Sequence, residues 1–539
     1  MARVRNIKNS PMALNPSFLF FPLSPFSSLL FSPKNSRSPR TPRLCSPPNF
    51  SLFFLSLLTF FTLLGFLTLF FVPVSQNSVS CSVSSVIPET TDDDGDSRLL
   101  KIAMLPLPAH RVVGNLMEEG REFWRQPDGE KYRPCLGLGI GYRRESARVT
   151  KEKRRFLVVV ISGGLNRVRN QIVDAVVIAR ILEAALVMPV LQVDPVRGDE
   201  SGFSDIFDVE HFIRTLQADV RVVSSLPSTH LVSRQTVATQ LPHHARPLWI
   251  RARFLKQLKQ EGLLVLNGLD SKLSKNLPPD LQKLRCKVAF HALRFTAPIR
   301  ELGNRLARRM WIEGPYVALH MRLEKDVWIR TGCLTGLGPQ YDAIIRRDRD
   351  LQSEFLTRSL NMSHIRRRLA GLCPLNALEM ARLLKALGAP KAARIYIAGG
   401  EPFGGALALK PLVKEFRNAA TKETLAREGE LVPYMNRSSV LAAIDYIVSL
   451  SSDVFVPSYG GNMARAMQGH RAYVGHGKFI KPNKQLMLPF FEEAAVSDVE
   501  FSSMMKKLHL NMQGQPELRT NYRARDVVAY PVPECMCKH

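Results

Sequence analysis

Short apolar runs alternate with stretches of helical apolar spacing along two blocks of the chain. Phe156 to Ile161 (FLVVVI) has no polar break and predicts a fully buried strand. Ser162-Gly163-Gly164-Leu165-Asn166 then reads as a tight turn. Ile172, Val173, Val176, Ala179, Leu182 and Ala185 follow at helical spacing, and Leu186 to Val190 opens a second strand. The grammar is that of a βαβ unit with a glycine turn at the carboxyl end of its first strand.

The second block repeats it. Gly314-Pro315 breaks the chain before a strand at Tyr316 to Leu319, which ends abruptly in His320, Arg322, Glu324, Lys325 and Asp326. Arg394 to Ala398 is a strand ending in Gly399-Gly400-Glu401, and Ser438 is placed to cap a helix through Leu441, Ile444, Ile447 and Val448. Asp453 to Pro457 is a further strand, followed by Ser458-Tyr459-Gly460-Gly461-Asn462 and a helix through Ala464 and Met467. Arg471 to Gly475 reads as the next strand. Two such blocks predict two parallel-sheet domains with a cleft between them, the seam falling near 295–315. Residues beyond about 490 show little periodicity and are expected to pack back on the body as a tail.

The N-terminus sets the compartment. Residues 1–49 carry seven Lys or Arg and no acid, and Ser51 to Val72 is an uncharged apolar run long enough to cross a bilayer. Positive charge before the run and Asp92 to Asp94 after it predict a cytosolic N-terminus and an exported body, a type II single-pass arrangement. A transit peptide shares the Ser- and Arg-rich, acid-free composition, but the uninterrupted apolar run favours the anchor. The expected organisation is a basic tail (1–49), an anchor (51–72), a stem and lead-in (73–150), two α/β domains (151–305 and 306–490) and the tail (491–539).

The net charge of +27 raises nucleic acid as a partner. No zinc-finger spacing, RNP-like motif or basic heptad helix accompanies the charge, and its Lys and Arg are interleaved with acids. A basic face receiving sugar-nucleotide phosphates or acidic glycans fits better. Cysteine spacing gives no zinc site, and in an exported body Cys81, Cys135, Cys286, Cys333, Cys373, Cys535 and Cys537 are free to form disulfides, with one left over. Asn361 and Asn436 head N-glycosylation sequons in that exported region.

Three strand ends carry the candidate chemistry. At Gly163-Gly164-Leu165-Asn166, glycines permit close backbone approach and a helix start favours an anion or oxyanion. At His320-Met321-Arg322, the arginine offers a planar charged fork for phosphate oxygens. At Ser458 to Asn462, a hydroxyl and helix-start amides suit a second phosphate. Glu324 and Asp326 are positioned as possible bases, although ion pairs with Lys325 and Arg330 account for them more simply. Asp348-Arg349-Asp350, beside Arg346 and Arg347, reads as a solvated charged segment rather than a metal site.

SGGLNRVRNQIVDAVVIARILEAALVMP, SGFSDIFDVEHFI, LRCKVAFHALRF, PYVALHMRLEKD, AGLCPLNALEMARLLKALG and DVFVPSYGGNMARAMQGHR occur in that order across roughly 155–485. Together they resemble the plant-type O-fucosyltransferase family. The resemblance implies a GT-B fold with two Rossmann-like domains facing a cleft, and inverting transfer from GDP-fucose without a required metal or cofactor. It implies that Arg322 holds the donor diphosphate with His320 and Met321 beside it. Ser458, Tyr459, Gly460, Gly461 and Asn462 would border the nucleotide, and Gly163, Gly164 and Asn166 would line the acceptor and transition-state side. Met321, Leu323 and Arg167 depart from the family's usual residues, which bears on sugar or acceptor preference rather than fold. The implied setting is a Golgi membrane enzyme acting on a protein or cell-wall glycan. A UDP-rhamnose donor with an acidic pectic acceptor, or a catalytically silent glycan-binding scaffold, are the alternatives.

Overall fold

The computed structural model describes residues 107–110, 120–151, 154–193, 198–227, 239–270, 272–351, 362–492 and 496–539. The expected anchor, the stem, Cys81 and Asn361 lie outside the described residues, among which no helix is long and apolar enough to cross a membrane.

Thirteen strands are described: β1 (Tyr132–Pro134), β2 (Phe156–Ile161), β3 (Ala185–Val187), β4 (Val190–Leu191), β5 (Val222–Val223), β6 (Thr239–Gln240), β7 (Leu263–Asn267), β8 (Tyr316–His320), β9 (Arg394–Ala398), β10 (Ala419–Thr421), β11 (Val454–Pro457), β12 (Lys478–Phe479) and β13 (Met536–Lys538). The first sheet has the order β5-β3-β2-β7-β6, with β4 also on β2, and the second the order β10-β9-β8-β11-β12. Every pairing in both sheets is parallel. Five helices position the site: α1 (Leu165–Leu182), α2 (Ala297–Trp311), α3 (Lys325–Thr331), α4 (Ser438–Leu450) and α5 (Asn462–Tyr473). The result is an α/β protein built on two parallel sheets.

Period-two packing explains the continuous apolar runs. Tyr316 and Ala318 of β8 join one core cluster with Tyr396 and Phe455, while Val317 and Leu319 join the opposite one with Ile395 and Val456. A strand covered on both faces has no polar position to offer until it ends. The first cluster continues without a break into the first sheet through Leu157, Val159 and the buried face of α1. Helices α2 and α4 seal that continuity. Their closest approach is at Gly303, where a Cβ would stand 2.6 Å from Ile447 Cδ1.

Several local expectations change. Ala185 opens β3 rather than closing α1, because Glu183 adopts a left-handed φ of 53° and ends the helix. Ser438 sits in the first turn of α4 instead of capping it; Asp199, from the first half of the chain, accepts from Ser439 N at 2.6 Å and from the Ser438 hydroxyl at 3.1 Å. A carboxylate there also complements the helix dipole.

The segment Arg471 to Gly475 is not a strand. It forms the end of α5 and the turn beyond it, and the edge strand is β12. Arg471 is buried and donates to the carbonyls of Ser449, Leu450 and Asp453, so its polarity marks a satisfied interior group. The tail is more ordered than its sequence suggests. It holds a helix, Asp498–His509, capped by Ser497, and β13, which pairs antiparallel with β1. Disulfides Cys135–Cys537 and Cys286–Cys535 fasten it, and Cys333–Cys373 closes the loop region after α3.

The tail crosses α5 at Gly469, where a Cβ would overlap the Val528 carbonyl oxygen. Gly469→Ala is expected to lower stability by about 3 kcal/mol in chemical denaturation, because backbone must move. Gly141→Ala, on an exposed helical position with open space, is expected to be neutral or stabilising by about 0.5 kcal/mol.

Candidate active site

The glycine turn after β2 is built for tightness. Gly163 has φ +100° and its Cβ position would lie 2.8 Å from Arg167 Cδ, so only glycine fits without strain. Gly164 caps α1, and Gln171 holds the turn by donating to the Ser162 carbonyl at 2.9 Å. Arg167 folds back to Asp270 at 3.1 Å. Asn166 donates to Met463 Sδ at 3.2 Å, while its Oδ1 is buried with no partner. Met463 belongs to the first turn of α5, so this contact joins the strand ends of the two sheets.

The second turn is held from three directions. Beyond β8, Met321 N donates to the Ala398 carbonyl at 2.8 Å, and Arg322 N donates to Ser458 Oγ at 2.9 Å. Ser458 N returns a bond to the His320 carbonyl at 3.0 Å. Gly399, at φ +142°, brings its backbone so close that a Cβ would overlap the Met321 carbonyl oxygen. Lys422 and Asp445 secure that glycine: Lys422 donates to its carbonyl at 2.7 Å and its amide donates to Asp445 at 3.1 Å. Tyr396 and Lys422 complete the Asp445 carboxylate at 2.7 and 3.2 Å.

The Arg322 side chain is held by one edge. Its Nε donates to Glu324 Oε2 at 3.1 Å, and Glu324 Oε1 accepts from Gly400 N at 3.3 Å. The two terminal guanidinium nitrogens have no partner among the described residues, and the side chain is 20% exposed. This leaves the paired N–H edge of a fixed fork for an anion. His320 beside it is buried, and its Nδ1 has no partner. Burial, then the charges of Arg322 and Lys422, push its pKa down to about 3, so its imidazole is neutral. Arg322 therefore supplies the charge at this strand end.

The third turn exposes backbone. Gly460 is open to solvent, Gly461 caps α5 in extended conformation, and Lys484 Nζ lies 5.0 Å from the centre of the Tyr459 ring. The amides at the start of α5 provide a second place for negative charge. Two sequence candidates turn inward: the Met321 side chain lies in the core, and the fully buried Ser458 spends its hydroxyl on the Arg322 amide. Both shape the turns rather than face an open surface. Both carboxylates offered as bases are engaged, Glu324 as above and Asp326 with Arg330 at 2.8 Å. Asp348 lies in helix Pro339–Asp350 and pairs with Lys325 at 2.6 Å. Asp453 holds the start of its strand, accepting from Tyr316 N at 3.0 Å. Asn436 is exposed.

Sequence reasoning passed over Gly400, Lys422 and Asp445. The glycine pair after β9 had the same form as the two turns singled out and was the available signal.

Residues 156–474 match the sequence model described as GDP-fucose protein O-fucosyltransferase. The chain is 62% identical to O-fucosyltransferase 37 of Arabidopsis thaliana, with 97% of each chain covered. It is 58% identical to O-fucosyltransferase 20 of the same plant, over 78% of this chain and 74% of that protein. A crystal structure of POFUT1 in complex with GDP-fucose covers 61% of this chain and 96% of its own at 12% identity and TM-score 0.38, too loose an overlap to bear on the site. The protein is thus a glycosyltransferase. It belongs to the O-fucosyltransferase family.

Two outcomes test the site's internal logic. Glu324→Ala releases Arg322 Nε and is expected to lower kcat about tenfold with an unchanged unfolding temperature, while Glu324→Gln loses less. For His320, the unfolded state binds a proton that the native state lacks between its ordinary pKa of 6.5 and about 3. Stability therefore falls as pH is lowered through that window, and His320→Asn is expected to flatten the dependence of Tm on pH there.

Proposed function

We propose that the chain transfers fucose from GDP-fucose to a hydroxyl of a protein or glycan acceptor, with inversion and without a metal ion, on a GT-B fold whose two sheets carry acceptor and donor. The observation that carries this reading is the Arg322 fork, clamped on its Nε edge by Glu324 and open on the other, beside the α5 start. The diphosphate lies against the Arg322 nitrogens and the amides following Gly461. As the bond from C1 to the diphosphate oxygen breaks, its electron pair goes to GDP, and this fixed cation and these dipoles stabilise the developing charge. The sugar passes through an oxocarbenium-like state, so stabilising the leaving group lowers the main barrier.

The acceptor oxygen forms its bond to C1 from the opposite side and releases its proton to solvent water. Asn166 faces that side from the first sheet, and its unpartnered Oδ1 suits a hydrogen bond from the incoming hydroxyl. Inversion follows from acceptor and leaving group occupying opposite faces of the sugar.

The body belongs in the Golgi lumen behind the anchor at 51–72, with the N-terminus cytosolic. The three disulfides support an oxidising compartment, and exposure of Asn436 suits glycosylation there.

Titration of the protein with GDP-fucose and UDP-rhamnose, followed by turnover on fucosyl acceptors, tests the proposal. Selective GDP-fucose binding, turnover unchanged by EDTA, and a loss of about 10²–10³ in kcat for Arg322→Ala are expected. Preference for UDP-rhamnose overturns the donor, and folded protein that binds neither overturns catalysis.

A further inference from the structure

Arg169 lines a cavity of about 570 Å³. That is within the range of small-molecule sites. It is bounded by a π-helical turn, Val288–Ala292, and by residues of α2, α4 and α5. π-Helical turns are rare and gather at functional sites.

Its wall is a connected set of rings. Phe295 meets Tyr446 edge-on at 5.8 Å, and Tyr446 lies 5.8 Å from His470. His470 lies 5.2 Å from Phe290, and Phe290 stacks on Tyr473 at 4.5 Å. The polar tips of these rings are already satisfied: Tyr446 bonds His470 and Tyr473 bonds His291, each at 2.8 Å. The wall therefore presents ring faces and edges rather than free hydroxyls.

Charge in the cavity has one sign. Arg133, Arg169, Arg294 and Arg300 line it, and no Asp or Glu does so among the described residues. Arg169 is occupied, donating to Ala289 O at 2.9 Å and lying over the Tyr446 ring at 4.6 Å. Arg294 is matched by Asp208 at 2.6 Å. Arg300 differs. Its Nε donates to the Phe295 carbonyl at 3.1 Å, and its terminal nitrogens have no partner among the described residues. It is half-buried; burial, then the Arg294 cation, disfavours its charge, while the already engaged Asp208 carboxylate and Glu301 favour it less strongly.

From the ring wall and the unmatched Arg300 fork we infer that this cavity binds a small ring compound carrying a carboxylate. The ring lies against Phe295, Tyr446 and Tyr473, and the carboxylate takes the two Arg300 nitrogens as a bidentate pair. Asn304 shares this lining and offers an amide to hydroxyls on the ring, whereas the buried Ser451 hydroxyl already accepts from Leu107 N at 3.4 Å. Two sources share this chemistry, a uronic acid of a glycan and an aryl carboxylic acid. The inference rests on the cavity alone and is independent of the donor assignment.

The test is binding to the full chain in detergent, read by saturation-transfer NMR and titration calorimetry. The probes are D-galacturonate and 4-hydroxycinnamate, each against its neutral match, D-galactose and 4-hydroxycinnamyl alcohol. One acid should bind and its neutral partner should not, and the acid that binds names the source. Arg300→Gln should weaken it about tenfold or more. Asn304→Phe, which fills the cavity, should abolish binding even if Arg300→Gln fails to fold. Arg322→Ala should leave it intact, which separates this site from the donor site. Equal binding of neutral and acid, no binding of either acid, indifference to both cavity variants, or loss in Arg322→Ala overturns the inference.

Discussion

Burial of β8 on both faces is the constraint from which the candidate active site follows. Tyr316 to Leu319 are fully enclosed between two core clusters, so apart from the Tyr316 hydroxyl, which donates to the Val448 carbonyl at 2.7 Å, the polar side chains wait until the strand ends. β9 and β11 run parallel to it and end at the same level, with His320 opposite Ala398 on one side and Pro457 on the other. The turns that follow these strands are therefore obliged to meet. Their contacts are backbone-scale: an amide to a serine hydroxyl, a carbonyl against a glycine, a carboxylate bridging an arginine and an amide. A guanidinium mounted on such a base loses little freedom when it takes a ligand.

Electrostatics around the ends of the second sheet divide into charges that are consumed and one that is left. Lys422 and Asp445 are both deeply buried, and each finds its complement in the other and in the Gly399 backbone. Breaking either would strand an ion in the interior, so their value is to fix the glycine turn rather than to bind. Arg471 is likewise spent on carbonyls. His320 has been stripped of its proton by burial and two neighbouring cations. Against that background Arg322 stands out as a half-open cation in a site whose other charges are balanced.

What could be read from sequence was whatever depends on near neighbours. The runs at β2, β8 and β9 and the two glycine turns announced themselves because a buried parallel strand and a tight turn leave local signatures. Arg471 to Gly475 was misread because a buried, carbonyl-bound arginine imitates the polar member of an alternating strand. Ser438 looked like a cap, but the oxygen that caps α4 comes from Asp199, which no local pattern can show. Ser458 was credited with ligand contact for its hydroxyl, and only its partner at Arg322 reveals the structural use. The bridge from Glu324 to Gly400 spans 76 positions and exists only because β8 and β9 are adjacent.

The pairing of β1 with β13 bears on the order in which the protein is made. Tyr132 to Pro134 leave the ribosome long before their partners Met536 to Lys538, and Cys135 must find Cys537 across a separation of 402. Cys286 also waits, for Cys535. The first sheet can assemble while translation continues, but its lead-in stays unpaired until Met536 to Lys538 have been made. A ribosome stalled before Cys535 would yield a body with both sheets and neither of these two staples. Completion of this fold thus waits on residues made long after both sheets.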